Sequence, residues 1–122
     1  MPDNKTIPVM IEVKGTRGKL IKTDDKGEIA NFTEKGEANY SNIKNFAVNG
    51  AVHYAESVIN FTETYRDAIA IGVNGYEDAS KAVKTEMGVY FVSSDKFLIP
   101  KKIADYSDFS FLKKENGFSK NV

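Results

Sequence analysis

A chain of 122 residues with 41 % hydrophobic content supports one domain with a modest core, and its seventeen basic and seventeen acidic residues cancel. That balance argues against a freestanding protein that grips nucleic acid through a broad basic surface. The absence of cysteine excludes a disulfide framework and a thiolate metal site, and no apolar stretch reaches the roughly 18 residues of a membrane span, so a reducing, cytoplasmic setting is expected.

The chain opens with a predicted strand, Val9–Lys14. Two short β-prone runs at 19–23 and 28–32 flank an acidic, Gly-ended turn at 24–27, which predicts a β-hairpin. After a polar loop, Ser41 or Asn42 is expected to cap a helix running to about Phe61. Ile43, Phe46, Ala47, Gly50, Tyr54, Val58 and Phe61 form one apolar stripe on it, while Val48, Val52, Ala55 and Ile59 form a second on nearly the opposite side. The continuous apolar run 68–73 predicts a central strand that ends in a turn at Asn74 and Gly75. Residues 76–84 read as a short helix or a polar connection, 87–93 as another strand, and 97–100 with 106–112 as short pieces packing back. This order predicts an α/β fold: a mixed sheet with a β-hairpin and a main crossover helix.

Glu12 and Lys14 stand two positions apart in the first strand, so both leave one face while Ile11 and Val13 face the other. With nine Glu and fifteen Lys in the chain, about one Glu-x-Lys triplet arises by chance. What singles this one out is its setting, an apolar strand that follows Pro8 and opens onto Gly15, Thr16, Arg17 and Gly18. Asp24 and Lys26 have related spacing but sit in a turn. The plain alternative for Glu12 and Lys14 is a solvent-facing ion pair on an edge strand.

Phosphodiester cleavage needs an activated water, neutralisation of the transition-state charge and stabilisation of the leaving oxygen. Mg²⁺ binds through oxygen ligands and keeps several waters, so carboxylates, a main-chain carbonyl and the substrate phosphate suffice. Glu12 and the Val13 carbonyl would supply two such oxygens, and Lys14 would assist the water. A second, earlier aspartate is then required.

The combination of Pro2 and Asp3 with Ile11, Glu12, Val13, Lys14 and Gly15 resembles the PD-(D/E)xK nuclease superfamily. The match is similar in particular to nuclease domains of type I restriction enzymes and of related fusions with N6-adenine DNA methylases. Their strand is followed by a helix with a small residue and a tyrosine, here Gly50 and Tyr54, with Gly50 standing where glutamine often occurs. The resemblance implies a restriction-endonuclease-like core and Mg²⁺- or Mn²⁺-dependent hydrolysis of double-stranded DNA. Asp3, Glu12 and Lys14 become the catalytic residues, with Asp3, Glu12 and Val13 at the metal; the aspartate is either Asp3 or one upstream of Met1. Residues 1–122 would then form one partial nuclease domain, with a polar tail from about 113, working beside other domains or subunits of a restriction-modification complex.

Arg17 and Lys19, in a Gly-containing basic loop, are candidate DNA contacts, and the resemblance adds Tyr54, which on periodicity alone reads as core. His53, without ligand-spaced partners, reads as structural or solvated. The alternatives are an inactive DNA-binding or interaction module of the same fold, a repair or junction-resolving nuclease, and an unrelated α/β domain with a coincidental triplet.

Overall fold

The computed structural model describes residues 7–62, 64–95 and 99–107. Along the chain these form β1 (Val9–Lys14), α1 (Tyr40–Asn45), α2 (Ala47–Phe61), β2 (Asp67–Glu77), β3 (Val83–Ser93) and β4 (Lys101–Ser107). The strands build one sheet in the order β1-β2-β3-β4, parallel between β1 and β2 and antiparallel thereafter. Parallel neighbours need a connection that crosses the sheet, and the segment carrying α2 provides it. This is the expected mixed α/β sheet with a main crossover helix, an architecture compatible with a restriction-endonuclease-like core.

Side-chain size explains how α2 docks. On β2 the residues facing the helix are Ala68, Ala70, Gly72 and Asn74, all buried. A Cβ on Gly72 would lie 2.5 Å from the Val48 backbone nitrogen and 2.7 Å from its Cα, so the helix backbone rests directly on the strand. The core is made by Val48, Val52, Ala55 and Ile59 of α2 against Ala68, Ala70, Tyr90 and Val92. The second apolar patch is therefore the one that faces the sheet. On the stripe expected to dominate, Tyr54 and Phe61 are exposed.

The opposite face of the sheet carries Val9, Ile11 and Val13, the last two 59 % and 65 % exposed. No described helix packs on that face. Among the described residues no helix is long and apolar enough to cross a membrane.

Four boundaries differ from expectation. The single helix is broken at Phe46, whose extended backbone (φ −123°, ψ 136°) separates α1 from α2. The break persists because the Ala47 and Val48 N–H groups donate to the carbonyls of Lys19 and Leu20 (2.9 and 2.8 Å), which satisfy the helix start from a loop. The cap of α1 is Asn39 rather than Ser41 or Asn42, with Oδ1 accepting from the Asn42 N–H at 3.1 Å.

The expected hairpin at 19–32 contracts to an isolated bridge between Thr23 and Ile29. The Lys22 N–H that would extend a ladder donates instead to Asn49 Oδ1 at 2.8 Å. Asn74 and Gly75 do not turn: β2 continues to Glu77, and the reversal lies beyond it, where Asp78 Oδ1 accepts from the N–H groups of Ser80 and Ala82. The ambiguous stretch at 76–84 thus becomes the tip of the β2–β3 hairpin. Tyr106 belongs to β4, whereas 108–112 and Phe97 lie outside the described residues.

Candidate active site

Strand alternation places Met10, Glu12 and Lys14 on the helix-facing side of β1 and half buries them. Their register partners on β2 are Ala70, Gly72 and Asn74. Small partners matter at Glu12, because its side chain lies against α2 where the helix has no Cβ. A Cβ on Gly50 would sit 3.3 Å from Glu12 Cγ and 3.4 Å from Glu12 Oε2, and only 2.9 Å from the Ile43 carbonyl oxygen. Glutamine at position 50 would collide with both the α1 backbone and the acid, so glycine here is a seat for Glu12.

Beyond Lys14 the chain is held by a buried amide. Asn74 Oδ1 accepts from the Thr16 N–H at 3.2 Å, and Asn74 Nδ2 donates to the Thr16 carbonyl at 2.8 Å and to Glu86 Oε2 at 3.0 Å. Asn49 grips the following loop in the same way. Its Oδ1 accepts from the Lys22 N–H, and its Nδ2 donates to the Lys22 carbonyl (3.1 Å) and to Asn31 Oδ1 (2.9 Å). Each amide meets both backbone polar groups of one loop residue, Thr16 or Lys22, so neither residue leaves its N–H or C=O unpaired.

These elements enclose a cleft of about 560 Å³ lined by Glu12 and Lys14 of β1, Tyr40, Ile43 and Lys44 of α1, and His53 and Tyr54 of α2. The His53 ring makes T-shaped contacts with two tyrosines, with centroids 5.8 Å from Tyr40 and 5.6 Å from Tyr54. Glu12, Lys14, Lys44 and His53 make no side-chain hydrogen bond or ion pair with any described residue. The edge-strand ion pair between Glu12 and Lys14 is accordingly not formed. The two groups face the cleft with their bonding capacity free.

Of the residues singled out in the sequence, Glu12, Lys14 and Tyr54 come together. Tyr54 is 47 % exposed at the cleft and does not belong to the core. The Val13 side chain points to the opposite, open face, so only its carbonyl is available to the role assigned to it. Arg17 is exposed outside the lining, and Lys19 Nζ sits 4.8 Å over the Phe46 ring. Asp3 lies outside the described residues.

Tyr40 and Lys44 escaped the sequence reading, and His53 was read as structural or solvated. His53 had a signal, since Gly50, His53 and Tyr54 stand at i, i+3 and i+4 and share a helix face. Tyr40 and Lys44 had none, because the bend at Phe46 that folds α1 over the cleft is fixed by distant loop carbonyls.

Among the described residues no group of three or more His, Asp or Glu forms a metal cage, and Glu12 is the carboxylate of the cleft lining. One carboxylate with a carbonyl, waters and a substrate phosphate lies within what Mg²⁺ accepts. A carboxyl perturbed by its surroundings lies elsewhere: burial raises the pKa of Glu56, beside a smaller hollow of about 110 Å³ lined by Ile29, Phe32, Val52 and Pro100. No amine or imidazole of the described residues borders that hollow, so the cleft at Glu12 is the better candidate for chemistry.

No family model matches the chain, and no solved structure matches it. Over 73 residues, 60 % of the chain, it is 34 % identical to the type II restriction enzyme and methyltransferase RM.BcgI of Heyndrickxia coagulans. That match covers 10 % of the relative, so the chain corresponds to about a tenth of that protein's length. The similarity relates the chain to one part of a restriction-modification protein.

Proposed function

We propose that this chain is the DNA-cleaving part of a restriction-modification protein and hydrolyses phosphodiester bonds with Mg²⁺, Mn²⁺ being an alternative. When bound, the cation supplies positive charge beside the reacting phosphoryl group. Glu12 would hold it through its carboxylate and Val13 through its carbonyl, with Asp3 or an aspartate of a preceding strand as the second acid. Lys14 donates to and orients the attacking water, and its charge offsets the negative charge that builds on the phosphoryl oxygens. Tyr54 at the cleft, and Arg17 and Lys19 beside it, would contact the backbone of double-stranded DNA, while other domains or subunits choose the sequence.

The observation that carries this reading is the presentation of Glu12 and Lys14 from one strand face into one cleft, each without a partner among the described residues. A half-buried acid and amine left unpaired cost solvation that a purely structural pair would recover, as functional sites commonly do. Glu12→Ala and Lys14→Ala are each expected to lower cleavage of duplex DNA by about 10²-fold or more, with thermal unfolding little changed. Unimpaired cleavage by either variant overturns the proposal.

A second reading, a DNA-binding module of the same fold without catalysis, is favoured by Glu12 being the single carboxylate that the described residues bring to the cleft lining. Titration with Mg²⁺ or Mn²⁺ separates the two: saturable cation binding that Glu12→Ala abolishes belongs to the hydrolytic reading, and its absence to the other.

A further inference from the structure

The cleft carries more positive charge than hydrolysis at Glu12 uses. Lys44 of α1 and His53 of α2 line it opposite the strand that bears Glu12 and Lys14. Neither makes a side-chain hydrogen bond or ion pair with a described residue. Formal charge over the whole chain is zero, so two amines and an imidazole facing one carboxylate create a local excess of positive charge on an otherwise balanced molecule. T-shaped contacts with Tyr40 and Tyr54 restrain the His53 ring without hydrogen bonds to its nitrogens.

A DNA strand carries a phosphate about every 3.4 Å of helix rise. A backbone with one phosphate at Glu12 and Lys14 would have its next phosphate close by, and Lys44 and His53 line that same cleft. We infer that Lys44 and His53 form a second phosphate site, which holds the backbone phosphate next to the one at Glu12 and Lys14. Lys44 acts as a point charge and the His53 imidazole as a directional N–H donor. The inference rests on the DNA reading of the cleft given above, but not on cleavage.

The test is binding of a fluorescent duplex oligonucleotide to the 122-residue chain in EDTA across a salt series, read by anisotropy. Lys44→Ala and His53→Ala are expected to weaken binding roughly five- to tenfold, and Lys44→Ala to flatten the slope of log K against log salt by about 0.9. Lys44→Arg should keep the parental slope. Lys26→Ala, which removes the same charge from an exposed turn, should leave affinity and slope as in the parent. Parental behaviour of Lys44→Ala, an equal loss in Lys26→Ala, or no duplex binding by the parent at low salt each overturns the inference. Cleavage is read separately with Mg²⁺ present. Cleavage that survives Glu12→Ala removes the hydrolytic reading alone, whereas cleavage lost in Glu12→Ala with unaltered binding in Lys44→Ala removes this inference alone.

Discussion

Glu12 reaches its position because two residues near it have no side chain. Gly72, its register partner on β2, lets the first turn of α2 lie on the strand, and Gly50 leaves room for the acid against the helix. The two sites differ in what a methyl group would meet. At Gly72 the added Cβ strikes the backbone of Val48 at 2.5 to 2.7 Å, so the helix itself must lift. At Gly50 it meets the Ile43 carbonyl at 2.9 Å and the flexible Glu12 side chain at 3.3 Å, while alanine recovers about 1 kcal/mol of helix propensity. Gly72→Ala is thus expected to lose about 2–3 kcal/mol in urea unfolding, and Gly50→Ala about 1–2 kcal/mol, because helix propensity only partly offsets the clash with the Ile43 carbonyl. Gly50→Ala should also lower duplex cleavage at least about tenfold, since displacement of a reacting group by a fraction of an ångström is costly. Parental cleavage by a well-folded Gly50→Ala would mean that the seat of Glu12 against the helix has no functional weight.

Within the elements, the bend between α1 and α2 and the loop between β1 and α1 depend on one another. Lys19 and Leu20 satisfy the start of α2, and Asn49 of α2 in turn holds Lys22 and Asn31. Asn49→Ala would leave the Lys22 N–H without its acceptor and the buried Asn31 Oδ1 without its donor, at an expected cost of about 3 kcal/mol for three lost hydrogen bonds. Asn49→Asp should be no better. It keeps the acceptor for Lys22 but sets a carboxylate against two oxygens. Urea unfolding gives the loss, and faster amide exchange at Lys22 places it in the loop; a loss below about 1 kcal/mol would show that water replaces the amide readily. This pairing explains what was legible in the sequence. The β1 triplet, the apolar run of β2 and the helical period of α2 are local patterns, and each became the element expected. The break at Phe46, the contracted hairpin and the buried role of Asn74 are set by partners up to 58 positions away, as between Asn74 and Thr16, which no local pattern records. For the same reason the shared strand face of Glu12 and Lys14 was legible from spacing, but the placement of Tyr40 and Lys44 in the same cleft was not.

Across the whole molecule, one helix layer covers one face of the sheet, and the strand that presents Glu12 and Lys14 to that layer presents Val9, Ile11 and Val13 to the other side. Site and open face are thereby interleaved at single-residue spacing along β1, yet they belong to different halves of the molecule. Apolar side chains that remain more than half exposed gain little from folding, because the free energy of burial scales with area removed from water. Ile11→Thr and Val13→Thr preserve β-branching, so strand propensity is nearly unchanged. Each is expected to unfold within about 0.5 kcal/mol of the parent and to keep duplex cleavage. Val52→Ala, on the covered face where Val52 is fully buried, should lose about 2 kcal/mol through lost burial and the cavity left behind. Urea unfolding of the three variants decides the matter. Losses near 2 kcal/mol for Ile11→Thr or Val13→Thr would mean that residues outside the described segments pack on the open face and contribute to stability as α2 does on the other side. Retained stability with lost cleavage would instead tie that face to catalysis, through the backbone of β1 that Glu12, Val13 and Lys14 share.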